Sequence, residues 1–147
     1  MISRFEKFSF SIAEIHRYLH KISADEMEKY GLKGSHAVYL LALHRYEDGI
    51  TAAELSEKCD RNKADVSRAV ATMEKEGLAR REGAAYRARI LLTDDGKKAA
   101  ESVGRLACRA VDMGSSGLTE EQRNNMYYAL ELIADNLRNI SKEGLKD

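Results

Sequence analysis

Apolar residues recur at helical spacing near both ends of the chain. At each end they follow one another in steps of four, three, four and three residues, which places each set on one face of a helix. The N-terminal stripe consists of Phe8, Ile12, Ile15, Leu19 and Ile22, and the C-terminal stripe consists of Met126, Leu130, Ile133, Leu137 and Ile140. The pattern predicts a long amphipathic helix at each end, the first ending near Tyr30-Gly31.

Between these ends the pattern predicts three shorter helices. Ser35 is expected to cap a second helix, which turns Val38, Leu41 and Ala42 inward and stops at Asp48-Gly49. A capping box, Thr51-Ala-Ala-Glu54, opens a third helix with Leu55 inward. A fourth helix runs from an Asn62 cap to Gly77, and its inward residues are Val66, Val70 and Met73.

After Gly77 the apolar period changes from helical to alternating. Leu78–Arg81 and Arg87–Thr93 are expected to be strands joined by residues 82–86, with Ile90 and Leu92 on the inner face. Asp94-Asp-Gly96 leads into a fifth helix, and Thr119-Glu-Glu-Gln122 is the capping box of a sixth. The fifth helix would turn Ala99, Val103, Leu106, Ala110 and Val111 to one face. The predicted order is ααααββαα.

A short helix, a tight turn, a second helix and a β-hairpin form a winged helix-turn-helix, whose second helix can enter the major groove of DNA. Since Val66, Val70 and Met73 define the inner face of the fourth helix, its outer face carries Lys63, Ala64, Ser67 and Arg68. Arginine can pair with guanine, lysine and serine can reach bases or phosphates, and alanine leaves room for a thymine methyl group. This face is therefore a candidate for reading DNA.

The charge distribution supports this interpretation only locally. The chain of 147 residues has 24 basic and 24 acidic residues, so no global positive field attracts nucleic acid. Residues 61–93, however, hold 8 basic groups against 4 acidic ones. A winged-helix module that binds other proteins without specific DNA binding is thus the main alternative.

Other function classes lack support in the sequence. The 33% of charged residues and the absence of a long apolar run predict a cytosolic protein without a membrane segment. No nucleotide, zinc-protease or hydrolase motif is found, so neither an enzyme nor a cofactor is expected. His16 and His20 have a spacing that can share a metal, but no further ligand completes a site. Cys59 and Cys108 are expected to be packed thiols.

The helix-turn-helix region, the following LLTDDG and the segment LTEEQRNNMYYALELIADNL resemble the MarR (multiple antibiotic resistance regulator) family over nearly the whole chain. The resemblance implies a transcriptional regulator, usually a repressor released by a small ligand or an oxidant, whose terminal helices form a homodimer. The implied divisions are an N-terminal dimerisation helix (1–34), a winged helix-turn-helix (35–93) and C-terminal dimerisation helices (94–147).

The sequence departs from the family at three places. Asp60 replaces the usual turn glycine, which aspartate tolerates because it adopts left-handed backbone more readily than most residues. Arg61 replaces an apolar residue and is expected to face solvent or phosphate. The wing is short and lacks the family's Asp-x-Arg tip, so only Arg87 and Arg89 remain as wing contacts.

Three sets of candidate residues follow from the pattern and the resemblance. The DNA-binding candidates are Arg61, Asn62, Lys63, Ala64, Ser67, Arg68, Arg87 and Arg89. The candidates for a small aromatic or anionic effector are Tyr18, His20, His36 and Tyr39. The dimer interface is expected along the two terminal stripes, since a monomer would leave both in water, and a dimer suits a pseudo-palindromic operator.

Overall fold

A computed structural model describes residues 3–145 of the chain, apart from the side chain of Tyr86. The elements in these residues are α1 (Arg4–Glu28), α2 (Ala37–Arg45), β1 (Ile50–Thr51), α3 (Ala52–Cys59), α4 (Lys63–Lys75), β2 (Ala79–Glu82), β3 (Arg89–Leu92), α5 (Asp94–Gly114) and α6 (Glu120–Glu143). Single 3-10 turns, Gly34–His36 and Ala85–Arg87, precede α2 and β3. The predicted fold class, a mainly helical winged helix-turn-helix, is confirmed.

The chain divides into two compact units between Ala110 and Val111. The first unit holds α1 to α4, the sheet and most of α5, and the second holds the last turn of α5 together with α6. The functional division into 1–34, 35–93 and 94–147 stays a prediction. No helix among residues 3–145 is long and apolar enough to cross a membrane.

The core of the first unit surrounds the inner face of α4. Val66, Val70 and Met73 are completely buried, as the sequence predicted, and they belong to the same cluster as Leu55 of α3 and Ile90 of β3. Burying a large apolar side chain stabilises a fold by about 1.5–3 kcal/mol, so this cluster holds α3, α4 and the sheet together. The opposite face of α4 is consequently left to solvent.

The predicted inner face of α2 was wrong for Val38 and incomplete, although Leu41 and Ala42 do pack against the core cluster as predicted. Tyr39, Leu40 and Leu43 are buried, whereas Val38 is 38% exposed and the other two predicted residues are only partly buried. Every residue from Ala37 to Leu43 is apolar or aromatic, so no polar face in the sequence defines the rotation of this helix.

The predicted Ser35 cap was also wrong. Ser35 lies inside the 3-10 turn, and the N-cap position of α2 is His36, whose side chain makes no capping bond to that helix. The imidazole instead points back along the chain, where its Nδ1 accepts a hydrogen bond from the backbone N–H of Lys33 at 3.3 Å.

The sheet has one strand more than the predicted hairpin. β1 pairs antiparallel with β3, with Ile50 opposite Ile90, and β2 pairs with the other edge of β3. Ile90 and Leu92 face the core, as predicted. A two-residue strand is too short to show alternation, so the sequence pattern could not identify β1.

Thr93 joins the sheet to α5. Its hydroxyl donates to the carbonyl of Gly77 at 2.7 Å and accepts from the backbone N–H of Gly96 at 3.1 Å, while its own N–H donates to the carbonyl of Leu78 at 3.0 Å. A Cβ atom on Gly96 would lie 1.9 Å from the Leu78 carbonyl oxygen. Helix α5 therefore passes so close to Leu78, the residue before β2, that only glycine fits at position 96.

The two predicted capping boxes are confirmed. Thr51 accepts from the backbone N–H of Glu54 at 3.2 Å, and its own N–H donates to that carboxylate at 2.8 Å. The hydrogen bonds that the Thr51 N–H and the Thr51 hydroxyl donate to this carboxylate lower the pKa of Glu54. Thr119 and Gln122 make the same reciprocal pair at the start of α6, at 2.9 and 3.2 Å. Each box satisfies backbone donors that a helix leaves unpaired at its first turn.

Candidate nucleic-acid interface

The turn between α3 and α4 is held by backbone and hydroxyl hydrogen bonds. Asp60 has the left-handed conformation (φ 49°, ψ 52°) that the sequence led us to expect at this position. The N–H of Arg61 donates to the carbonyl of Ser56 at 3.0 Å, and the Ser56 hydroxyl donates back to the carbonyl of Arg61. The turn therefore presents α4 at a defined angle to α3.

The outer face of α4 carries the predicted DNA-binding residues. Asn62 caps the helix, its Oδ1 accepting from the backbone N–H of Asp65 at 2.8 Å. The exposed residues along this face are Arg61, Asn62, Lys63, Ala64, Ser67 and Arg68. The structure thus brings six of the eight candidates together, Arg61 and Asn62 just before α4 and the other four on its first two turns.

Asp65 lies among these residues and was missed by the sequence analysis. One carboxylate oxygen accepts from Nδ2 of Asn62 at 2.9 Å, and the other accepts from Nη2 of Arg68. Residues three apart are neighbours on a helix surface, so the spacing of Asn62, Asp65 and Arg68 was a readable signal. The face that would meet DNA therefore includes a carboxylate paired with the exposed guanidinium of Arg68.

The wing begins at β2 and carries arginines in different surroundings. Nε of Arg81 lies 2.6 Å from the Glu74 carboxylate, which ties β2 to the end of α4, and Arg80 pairs with Glu82 along the strand. Arg87 lies exposed in the 3-10 turn at the wing tip. Arg89 is exposed on β3, but its Nη1 donates to the carbonyl of Gly49 at 2.7 Å. One donor of Arg89 thus already serves the sheet.

Three of the four predicted effector residues line two adjoining grooves. The smaller, about 300 Å³, is lined by α1 and the start of α2 and includes His20. The larger, about 740 Å³, lies against α4 and includes His36 and Tyr39. Ser35 and Arg61 line both grooves. The four candidates are therefore not one cluster.

Tyr18 is separate from both grooves. It is half exposed, and the Arg17 guanidinium lies over its ring at 4.9 Å from the centroid.

The two aromatic groups that line the larger groove have shifted pKa values. Burial lowers the pKa of His36, and the charge of Lys33 lowers it further. Burial raises the pKa of Tyr39, and the Asp65 carboxylate adds to this effect. Both side chains are therefore held in their neutral forms over a wider pH range than in free solution.

The histidine pair lines the smaller groove, and neither cysteine lines either of the two grooves. The rings of His16 and His20 stack with centroids 6.5 Å apart, and within residues 3–145 no group of three or more potential ligands is placed to hold a metal ion. Burial raises the pKa of the Cys59 thiol, which disfavours the reactive thiolate, and Cys108 is exposed on α5.

The chain is similar to several solved transcriptional regulators. A MarR regulator from Methanosarcina mazei is 25% identical over 92% of each chain (TM-score 0.84). A putative MarR regulator from Listeria monocytogenes, solved with a 26mer DNA, is 23% identical over 93% of this chain and 95% of its own (0.79). MepR of Staphylococcus aureus, solved with DNA, is 21% identical over 88% and 97% (0.76).

Sequence comparison leads to the same group of proteins. No curated protein sequence matches the chain. A sequence model of the MarR family matches residues 30–90, which extend from the end of α1 through the helix-turn-helix to the wing. That family consists of transcription regulators and not of enzymes. Together with the fold shared along the chain with the solved regulators, this match over residues 30–90 makes the protein similar to the MarR family.

Proposed function

We propose that this protein is a homodimeric, sequence-specific DNA-binding repressor that a small effector molecule releases from its operator. The observation that carries the proposal is α4, which is buried on one face and presents three cations and small polar residues on the other. The relatives from Listeria and Staphylococcus, solved with DNA, support this use of the fold. Such a regulator acts where the DNA is, which agrees with the expected cytosolic location.

The exposed residues divide by the contacts they can make. Arg68 has a long, forked side chain beside the small Ala64, which suits pairing with guanine in the major groove. Lys63, Ser67 and Arg61 suit phosphates or base edges near the start of α4, where the helix dipole also favours phosphate. Arg87 and Arg89 are the candidates for the minor groove or the backbone beside the wing. Specificity is therefore expected from α4 and general affinity from the other cations.

DNA binding can be tested without knowing the operator. A duplex is first enriched by the protein from a random-sequence library, and its affinity is then compared with that of a scrambled duplex over a series of salt concentrations. Arg68→Ala should reduce affinity for the enriched duplex by about 1–3 kcal/mol, whereas Arg87→Ala should weaken both duplexes alike. Arg105→Ala, on α5 and paired with Glu101, is the matched control and should change neither.

Two outcomes of this experiment would count against the DNA-binding assignment. Failure to enrich any sequence would favour the alternative, a winged-helix module for protein contacts. Unchanged affinities in both Arg68→Ala and Arg87→Ala would reject these residues as the site.

The exposure of the two terminal stripes supports the proposal that the protein is a dimer. Seven of their ten side chains are between 38% and 57% exposed in the single chain, and they are Phe8, Ile12, Ile15, Ile22, Leu130, Leu137 and Ile140. Since each large apolar side chain gains about 1.5–3 kcal/mol on full burial, pairing these stripes across a two-fold axis favours a stable dimer. A two-fold axis also places two recognition helices about 34–36 Å apart, one turn of DNA.

The dimer is tested by charging one stripe. Leu137→Lys with Ile140→Lys should give a monomer by light scattering and strongly weaken binding to the enriched duplex, because two linked modules bind more tightly than one. The control places the same charges at Asn124 and Asn139, which are exposed and lie about 140–160° around α6 from the centre of the stripe. A monomeric wild-type protein, or a monomeric variant that binds as tightly as wild type, contradicts the proposal.

The larger groove supports the proposal that a small effector molecule binds this protein. It is lined by three basic side chains, Lys33, Arg61 and Arg68, against the single carboxylate of Asp65, and by the aromatic Tyr39, a combination that suits a small aromatic anion. A ligand that binds one dimer conformation better than the other shifts the spacing of the two α4 helices. A panel of hydroxybenzoates should therefore raise the melting temperature and lower DNA affinity, and Lys33→Met should weaken both effects. A panel without either effect would indicate a regulator that no such ligand controls.

A further inference from the structure

We propose that Asp65 is a positioning residue that sets how strongly the protein distinguishes its operator from other DNA, acting through Arg68. This inference rests on the proposed DNA-binding function. It assigns a role to a carboxylate on a face that should otherwise favour cations.

The geometry fixes Asp65 between two partners on the first turn of α4. Its Oδ2 accepts from Nδ2 of Asn62 at 2.9 Å, and its Oδ1 accepts from Nη2 of Arg68. The Asn62 side chain is itself held because its Oδ1 caps the helix at 2.8 Å. The chain of contacts therefore runs from the helix backbone through Asn62 and Asp65 to the Arg68 guanidinium.

This arrangement restricts a side chain that would otherwise be free to choose among many rotamers. The Arg68 side chain is 71% exposed. The Asp65 carboxylate accepts a hydrogen bond from only one atom of the Arg68 guanidinium, Nη2. The remaining guanidinium donors stay available for the O6 and N7 acceptors of guanine. An arginine already held in one orientation loses less conformational freedom when it pairs with a base.

The strength of the pair depends on water. In the free protein the side chains of Arg68 and Asp65 are 71% and 43% exposed, so solvent screens the interaction and the pair restricts Arg68 only in part. At a base edge in the major groove water is displaced, and the same pair becomes stronger because the local dielectric constant falls. The orientation is thus supported most where a matching guanine is present.

The negative charge of Asp65 lowers the affinity for DNA of unrelated sequence. Affinity for arbitrary DNA comes mainly from cations that neutralise phosphates, and a carboxylate on the same face opposes it. Asp65 also occupies part of the guanidinium that could otherwise move to the nearest phosphate. The charge lowers the affinity for both kinds of DNA, whereas the occupied guanidinium lowers the affinity for unrelated DNA more than the affinity for the operator.

The test measures the ratio of the dissociation constants for a scrambled duplex and for the duplex enriched by the wild-type protein. Fluorescence anisotropy is recorded for wild type, Asp65→Asn, Arg68→Ala and the double variant, with thermal melting as a check of folding. Asp60→Asn is the charge-matched control, because it removes one negative charge from the neighbouring turn and asparagine tolerates the left-handed backbone there.

Asp65→Asn should bind the scrambled duplex a few-fold more tightly, and its discrimination ratio should fall about tenfold. In the Arg68→Ala background the same change should leave the ratio unaltered, because the carboxylate acts through that arginine. Asp60→Asn should tighten binding to both duplexes equally.

The outcomes that overturn the inference differ from those that overturn the proposed function. A discrimination ratio that Asp65→Asn leaves unchanged, or that falls equally in Asp60→Asn, removes the role of Asp65 while DNA recognition stands. A ratio that falls equally with and without Arg68 shows that the carboxylate does not act through that arginine. A wild-type protein that binds both duplexes alike overturns the proposed function, and this role with it.

Discussion

Replacing Gly96 by alanine tests how the winged region is joined to α5. The added Cβ would lie 1.9 Å from the carbonyl oxygen of Leu78 and 2.9 Å from its carbonyl carbon. The obstacle is backbone at the start of β2, not the flexible end of a side chain. Either α5 or the Leu78–Ala79 segment must therefore move by more than an ångström.

The cost can be worked out from these contacts. Forcing an extra carbon into a packed site costs about 1–3 kcal/mol, and the hydrogen bond from the N–H of Thr93 to the same Leu78 oxygen, worth about 1 kcal/mol, would be strained or lost. The better helix propensity of alanine returns at most about 1 kcal/mol. A net loss of about 1–3 kcal/mol follows, which corresponds to a decrease in melting temperature of about 2–12 °C for a chain of this size.

The assay is urea unfolding followed by circular dichroism at a fixed protein concentration, because dimerisation would make the midpoint depend on concentration. Gly104→Ala is the matched control, since its Cβ would meet only Leu41 Cδ2 at an ordinary 3.8 Å in the same helix. That variant should be more stable than wild type by about 0.4–1 kcal/mol. If the two substitutions change stability in the same direction, the close approach at Gly96 is not real.

Three further changes should have measurable effects. Thr119→Ala removes one side of a capping box and should lower the free energy of unfolding by about 1 kcal/mol in urea, and an unchanged midpoint would show that α6 does not depend on this cap. A hydrogen bond from Lys29 lowers the pKa of Glu26 in the folded chain, so its stabilising effect is complete above the unfolded pKa of about 4.3 and is lost as the pH falls. The difference in urea midpoint between wild type and Glu26→Gln should therefore shrink between about pH 6 and pH 3, and a constant difference would refute it. Arg89→Met should lower the melting temperature, because it removes the hydrogen bond to the Gly49 carbonyl, and a variant that melts like wild type would make that bond dispensable.

Elements whose energies are local could be predicted from the sequence. The stripe of α4 was readable because polar residues separate Val66, Val70 and Met73, and the burial of those residues then left a single outer face exposed to solvent. The capping boxes at Thr51 and Thr119 were readable because every bond in them joins residues three apart. The pairing of Asp65 with Arg68 has the same spacing and could have been predicted in the same way.

The tertiary structure decided what depends on residues far apart in the chain. The seven apolar or aromatic residues from Ala37 to Leu43 admit several faces, and only packing selects Tyr39, Leu40 and Leu43. β1 exists because β3, 39 residues further along, offers it hydrogen bonds. The same holds for the bond from Arg89 to Gly49 and for the need for glycine at position 96. Sequence periodicity reports the energies within one turn of a helix or along one strand, whereas these contacts form only when distant segments are folded against one another.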